Sequence, residues 1–250
     1  METHIGMLLY PGLTQLDLTG PFEVLHRIPD TKVHLLWRTL DPVVADSGIA
    51  LGPTTTLANC PCLDVLFVPG GSGQMVLMQD ETVLAFLREQ GETARFVTSV
   101  CTGALLLGAA GLLDGYEATT HWAFMDLLPI FGARPVRRRV VVDRNRITGG
   151  GVTAGIDFGL RLAATLAGDP AAKAIQLGLE YDPEPPFRSG HPDVAEPEVL
   201  ATVRARFDEL HRARARQATA MRAARNAAAD TGNGAGSECD GRALIQKSAS

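Results

Sequence analysis

The sequence has no long apolar run and no recognisable targeting segment. None of its hydrophobic stretches approaches the roughly 20 residues that a membrane-spanning helix needs. The N-terminus begins with a strand-like segment, where a secretory signal would place basic residues before an apolar stretch. These observations predict a protein that acts in the cytoplasm.

Cysteine is scarce, and its spacing argues against two common roles. Cys60, Cys62, Cys101 and Cys239 are too few and too scattered for a disulfide framework in a chain of 250 residues. A single proline separates Cys60 from Cys62, and no second pair follows, so a structural zinc site is not indicated. No two histidines are spaced four residues apart. The sequence therefore predicts no metal and no cofactor.

The chain also lacks an excess of basic residues. Its formal net charge is -5, which does not favour general binding to nucleic acid or to a membrane surface. Arginines do cluster with alanines at residues 198–228, but Asp208 and Glu209 interrupt them. This pattern favours a solvated helix over a nucleic-acid contact.

Strand-like and helix-like segments alternate over the first 180 residues. Apolar runs at residues 4–10, 32–39, 64–68 and 95–100 are typical of buried parallel strands, and helix-like segments lie between them. Residues 43–56 and 138–148 have the pattern of hairpins. The sequence predicts an α/β fold, a mainly parallel, flavodoxin-like sheet with helices on both faces.

Three units are expected along the chain. Residues 1–182 form the predicted catalytic domain. Residues 183–228 comprise a proline-rich connector and the Ala/Arg-rich helix, and residues 229–250, rich in Gly, Ser and Ala, are predicted to be disordered.

A cysteine lies at the junction of a predicted strand and a predicted helix. The strand at residues 95–100 runs into Cys101, and a helix of small and aliphatic residues follows without a loop. Thr102 and Gly103 have small side chains that tolerate so sharp a turn. The helix N-terminus favours a thiolate, which would make Cys101 a nucleophile. A buried packing cysteine is the alternative.

Four loops are expected to meet near this cysteine. Ligands bind beyond the carboxyl ends of the strands in parallel α/β sheets. Asp17, the glycine-rich turn at residues 70–73, Cys101 and the glycines at 149–151 all follow predicted strands. Their convergence favours the catalytic interpretation of Cys101.

Several segments resemble one protein family. The SVCTG elbow at residues 99–103, TTHW at 119–122 and TGGGVTAGID at 148–157 resemble the DJ-1/PfpI superfamily of class I glutamine amidotransferase-like folds. LDLTGPFEVL at 16–25 and LEYDPEPPF at 179–187 are similar to its isocyanide-hydrating bacterial branch. The resemblance implies a homodimer that adds water to a small-molecule isocyanide to give an N-substituted formamide.

The resemblance also implies roles for individual residues. Cys101 would attack the isocyanide carbon to form a covalent thioimidate, and Asp17 would act as general acid and base. Substrate binding or charge stabilisation is expected from a further group of residues: Thr102, Gly71, Ser72 and Gly150.

Alternatives remain open for both residues and function. Glu23 competes with Asp17 as the acid, and His121 is expected to cap a helix or lie in the core, although it offers an imidazole. Peptidase-like relatives carry histidine after the nucleophile, where this chain has Thr102. The alternative function is a ligand- or redox-sensing domain related to the sensor half of AraC-like transcription regulators.

Overall fold

The computed structural model describes residues 2–230, with the side chains of residues 2–224. The strands are, in chain order, β1 (Thr3–Leu8), β2 (Thr31–Trp37), β3 (Val43–Val44), β4 (Ala50–Leu51), β5 (Thr55–Thr56), β6 (Val65–Val68), β7 (Phe96–Val100), β8 (Glu117–Ala118), β9 (Arg134–Pro135), β10 (Val140–Asp143) and β11 (Arg146–Gly149). The α-helices are α1 (Gln15–Leu25), α2 (Gln74–Leu77), α3 (Glu81–Thr93), α4 (Gly103–Ala109), α5 (Ala154–Ala167), α6 (Asp169–Gly178) and α7 (Pro197–Asp230). Two further segments, Leu57–Asn59 and Trp122–Phe131, are 3-10 helices.

Seven strands form the central sheet, in the order β10-β11-β7-β6-β1-β2-β5. Every neighbouring pair is parallel except β10 and β11, which form the antiparallel hairpin expected near residues 138–148. β3 and β4 form a separate antiparallel pair, as expected for residues 43–56. The predicted α/β fold with a mainly parallel sheet is confirmed.

The central strands are buried because helices cover both faces of the sheet. All four residues of β6 are buried, as are the last four of β1 and of β7. A strand covered on both faces needs a continuous apolar run rather than alternation, which is the pattern seen in the sequence.

The sheet order reverses direction beside β1. The chain moves from β1 to β2 on one side, and β6 and β7 then pair on the other side. A reversal of this kind leaves a crevice outside the carboxyl ends of the two central strands, here β1 and β6. The first turn of α1, which follows β1, carries Asp17; the glycine-rich turn follows β6, and Cys101 follows the adjacent strand β7.

The long helix α7 packs against the domain through one face. Phe207 contacts the 3-10 helix Trp122–Phe131, with ring centroids 5.7 Å from Phe124, and Ala218 is buried. His211 Nε2 lies 2.9 Å from the Asp126 carboxylate. The expectation of a solvated helix is therefore wrong for this face, because its apolar and polar side chains find partners on the domain.

The predicted unit boundaries stay predictions. The tail expected at residues 229–250 lies outside the described residues apart from the last two positions of α7. Within residues 2–230, no helix has the length and apolar character needed to cross a bilayer.

Candidate active site

Cys101 occupies a strained turn between β7 and α4. Its φ of 55° lies in the left-handed region, which non-glycine residues rarely adopt. The Cys101 backbone N–H donates to the Gly150 carbonyl oxygen at 2.7 Å, and Thr120 Oγ1 donates to the Cys101 carbonyl oxygen at 2.6 Å. These bonds hold the strained conformation, so the predicted elbow is confirmed.

The elbow requires glycine two residues after the cysteine. A side chain at Gly103 would collide with the carbonyl oxygen of Val68 at the end of β6. The first turn of α4 therefore lies directly against the neighbouring strand, and the local sequence permits that approach.

Asp17 lies in the first turn of α1 and is fully buried. Its Oδ2 accepts a hydrogen bond from the Gly70 backbone N–H at 3.0 Å. Its Oδ1 is buried and has no partner at ordinary hydrogen-bonding geometry among the described residues. Burial raises the pKa of the Asp17 carboxyl to about 7, although hydrogen bonds from the Cys101 thiol and Gly70 oppose the shift. A carboxyl with this pKa can both give and take a proton near neutral pH.

Gly70 marks the point where three elements meet. A methyl group added there would lie 2.6 Å from Asp17 Oδ2, 2.6 Å from the Thr102 nitrogen and 2.8 Å from Cys101 Cβ. The structure therefore brings the Asp17 carboxylate, the Cys101 side chain and the start of α4 around one glycine of the turn after β6.

Replacing Gly70 with alanine is expected to damage this site severely. The added methyl group has no free space, so we expect the free energy of unfolding to fall by roughly 1–3 kcal/mol. At least one of Asp17, Thr102 and Cys101 must also shift, so we expect a lower rate of any turnover that needs Asp17 and Cys101 together. Urea denaturation and an assay of that turnover would measure the two effects.

A matched glycine provides the control for that substitution. A methyl group added at Gly52 would meet no atom within 4 Å. Gly52→Ala should therefore leave stability and turnover unchanged, and equal behaviour of the two variants would contradict the crowding at Gly70.

The pKa of the Cys101 thiol is higher than the sequence predicts. The sequence favoured a thiolate at the helix N-terminus, and the Thr102 backbone N–H does lower the pKa of Cys101. Burial is the largest influence, and it raises the pKa well above the usual value, with the Asp17 charge adding to the rise. The side chain is only 6% exposed, so desolvation outweighs the helix terminus.

Thr102 and Gly71 contact each other beside the elbow. The Gly71 backbone N–H donates to Thr102 Oγ1 at 3.1 Å. This donor is occupied in the described conformation, so it does not face an open ligand position. Both residues join the loop after β6 to the start of α4.

Ser72 and Gly150 form hydrogen bonds with different segments of the chain. Ser72 Oγ donates to the Gly12 carbonyl oxygen at 3.3 Å, which ties it to the loop after β1. The Gly150 carbonyl oxygen accepts from Cys101, and its N–H donates to the Arg139 carbonyl oxygen at 2.9 Å. Roles for these two residues in substrate binding stay predictions.

Glu23 and His121, the alternatives to Asp17 as proton carrier, differ from Asp17 in their surroundings. Glu23 is exposed, and its carboxylate lies 3.0 Å from Arg27 Nη2. His121 caps the 3-10 helix, since its Nδ1 accepts from the Ala123 N–H at 3.3 Å, which confirms the capping interpretation. Burial lowers the pKa of His121 to about 4, so its imidazole is neutral at pH 7.

One charged residue near the site was not anticipated from the sequence. Arg214 of α7 is only 4% exposed, and its Nη2 donates to the Gly71 carbonyl oxygen at 3.2 Å. The positive charge of Arg214 lowers the pKa of Cys101, against the effect of burial. A spacing of four, three, four and three residues joins Phe207, His211, Arg214, Ala218 and Met221, and this periodicity is the signal that marks the packed face.

The fold and site define a class of protein. This class is a doubly wound α/β protein with a buried carboxylate beside a cysteine on a strand-to-helix elbow. Residues 3–165 match the DJ-1/PfpI family. The chain belongs to the DJ-1/PfpI family.

Individual relatives make the likeness more specific. The chain is 57% identical to isonitrile hydratase of Pseudomonas putida, over 82% of this chain and 90% of that protein. A crystal structure of a ThiJ/PfpI family protein from Pseudomonas syringae is similar at a TM-score of 0.86, with 45% identity over 87% of this chain and 91% of that one.

The chain is also similar in sequence to part of a transcriptional regulator. The HTH-type transcriptional regulator GbdR of Pseudomonas aeruginosa is 33% identical over 71% of this chain, a region that spans 50% of the regulator.

Proposed function

We propose that this chain is a hydro-lyase that converts an isocyanide and water into an N-substituted formamide. The observation that carries the proposal is the buried Asp17 carboxyl beside Cys101, with a pKa raised to about 7. The 57% identity to isonitrile hydratase of Pseudomonas putida supports the same reaction.

The first step forms the covalent intermediate. The Asp17 carboxylate takes the proton of the Cys101 thiol, the resulting thiolate attacks the terminal isocyanide carbon, and that carbon takes the proton from the now neutral Asp17. A C–S and a C–H bond form, the carbon–nitrogen triple bond becomes a double bond, and Asp17 is left as carboxylate. The product is a thioimidate on Cys101. A carboxyl that is partly protonated at neutral pH suits this donation.

The second step consumes water. Asp17 as carboxylate takes a proton from water while the oxygen adds to the thioimidate carbon, and the nitrogen gains that proton. Asp17 then accepts the proton of the new hydroxyl as the C–O double bond forms and the C–S bond breaks. Formamide leaves, and neutral Asp17 returns its proton to the thiolate of Cys101, which restores the thiol and the carboxylate.

A neighbouring cleft of about 510 Å³ is the proposed place for the substituent of the isocyanide. Thr120 and Gly150 line it, and both bind the backbone of Cys101. Trp122 and Met125 contribute apolar surface to the same cleft. An apolar group on the isocyanide nitrogen would match these two side chains.

A direct assay tests the activity. Purified protein is mixed with an alkyl or aryl isocyanide, and formamide is measured by chromatography or NMR. We expect formamide from the unmodified chain and only the background rate from Cys101→Ala. Equal rates for the two proteins would contradict the proposal. If the protein shows no turnover and is retained on DNA in a way that weakens with added salt, the regulatory alternative is favoured.

We also propose that the chain forms a homodimer. Leu177 and Phe187 are 82% and 79% exposed, and a second copy would cover such side chains. Light scattering after gel filtration should give twice the chain mass, and a monomer at micromolar concentration would contradict the proposal. The cytoplasmic location remains a prediction.

A further inference from the structure

The arginine that α7 contributes to the site has an unusual environment. Arg214 is 4% exposed, and none of the ion pairs within 4 Å among the described residues involves it. Burying a guanidinium without a carboxylate partner is costly, so another source of negative charge or strong acceptors must compensate.

Three neutral groups hold the guanidinium in place. Arg214 Nε donates to Gln74 Oε1 at 3.2 Å, and Nη2 donates to the Gly71 carbonyl oxygen at the same distance. The guanidinium carbon also lies 4.3 Å from the centre of the Phe124 ring. These contacts fix its orientation, but they supply no counter-charge.

The arginine connects to the nucleophile through the turn after β6. Gly71 accepts from Arg214 through its carbonyl oxygen and donates through its N–H to Thr102 Oγ1. Thr102 follows Cys101, and its backbone N–H acts on the Cys101 sulfur. One side of the turn is therefore held by α7, and the other side is held by the start of α4.

Several ionisable groups share this buried region. Tyr10, whose hydroxyl donates to the Pro69 carbonyl oxygen at 2.7 Å, lies within reach of the charges of Asp17, Cys101 and Arg214. Five ionisable groups interact electrostatically with Cys101, Asp17 or Arg214. They come from the loop after β1, α1, the β3–β4 turn, the N-cap of the 3-10 helix and α7: Tyr10, Asp17, Asp46, His121 and Arg214. Arg214 is the cation of this set at neutral pH, since His121 is neutral there.

We propose that Arg214 is a positioning residue of the active site: α7 delivers a buried guanidinium that holds the Gly71 turn against Thr102 and favours the thiolate of Cys101. This inference rests on the proposed function in one respect: it takes the Cys101 thiolate to be the group that attacks the isocyanide. The counter-charge that the guanidinium lacks in the resting protein forms on Cys101 during the reaction cycle.

The test measures thiolate formation without the isocyanide reaction. Iodoacetamide alkylates thiolates, so the rate of modification of the Cys101 peptide is followed by mass spectrometry from pH 7 to pH 10, where burial keeps the thiolate fraction small and the rate is proportional to it. Arg214→Met should slow alkylation about three- to tenfold at each pH. Arg214→Lys keeps the charge and should retain the rate.

A second arginine on the same helix provides the matched control. Arg216 is exposed, two residues from Arg214. Arg216→Met should leave the alkylation profile unchanged. With an isocyanide as substrate, Arg214→Met should lower kcat and change KM little, because the residue acts on the nucleophile rather than on the substrate.

Defined outcomes would overturn the inference. A folded Arg214→Met variant with the alkylation rate of Arg216→Met would contradict it. If Arg214→Met does not fold, Arg214→Lys is measured instead, and a rate about tenfold below that of Arg216→Met would contradict it. Slower alkylation of Arg214→Met in a protein that hydrates no isocyanide would reject the proposed function and leave the role of Arg214 intact.

Discussion

Asp17→Asn is expected to lower kcat/KM for an isocyanide by about 10²- to 10⁴-fold, the usual contribution of a positioned general acid and base. The asparagine oxygen can still accept from the Gly70 N–H, so the shape of the site is retained. The amide cannot give a proton to the isocyanide carbon or take one from water. Both halves of the proposed reaction therefore lose their proton carrier.

The same substitution is expected to change stability in the opposite direction. The folded-state pKa of Asp17 is about 7, above the usual value of 3.8. Between these values the unfolded chain ionises Asp17 while the folded chain keeps it protonated, so rising pH lowers stability across that window. From pH 5 to pH 8, the Asp17→Asn variant should gain roughly 2–3 kcal/mol of unfolding free energy relative to the parent.

Urea denaturation at pH 5 and pH 8, together with formamide production, would measure both effects. Glu23→Gln is the matched control, since Glu23 is an exposed carboxylate on the same helix. It should leave activity unchanged and show no comparable pH-dependent gain in stability. Loss of turnover in Glu23→Gln with retention in Asp17→Asn would show that the acid is misassigned.

Cys101→Ser should reduce isocyanide turnover by at least about 10³-fold, a loss typical for the removal of a nucleophile. Serine keeps the size of the side chain and can occupy the same backbone conformation. Its hydroxyl is a much weaker nucleophile than a thiolate, and no histidine follows it at position 102 to act as base. The covalent intermediate should therefore not form.

Cys62→Ser is the control for this variant, because Cys62 is exposed. Turnover per mole of folded protein, with folding checked by circular dichroism, separates chemistry from stability. Full activity in Cys101→Ser would contradict attack by sulfur.

Local patterns were enough to predict the fold and the sheet edge that carries the site, and the family resemblance supplied the roles expected of Asp17 and Cys101. The continuous apolar runs of β1, β6 and β7 identify central parallel strands, and the residues that follow such strands lie at one edge of the sheet. Asp17 and Cys101 could therefore be placed together without knowledge of any contact.

Two features of the site could not be predicted from the sequence and became visible only in the three-dimensional structure. Arg214 lies far along the chain from Cys101, in a run of arginines and alanines that suggests a solvated helix, and its burial depends on how α7 docks. The pKa of Cys101 depends on competition between the helix terminus and desolvation. The helix terminus can be inferred from local sequence, whereas the desolvation depends on the packing of distant segments around the sulfur.

Mass spectrometry of enzyme quenched during turnover tests the covalent mechanism most directly. The protein is mixed with excess isocyanide, quenched within milliseconds to seconds and digested, while formamide is measured in the same sample. The account predicts formamide together with a Cys101 peptide heavier by the mass of one isocyanide, and neither in Cys101→Ala. Formamide produced at the same rate with Cys101 unmodified at every time, or produced by Cys101→Ala, would contradict it.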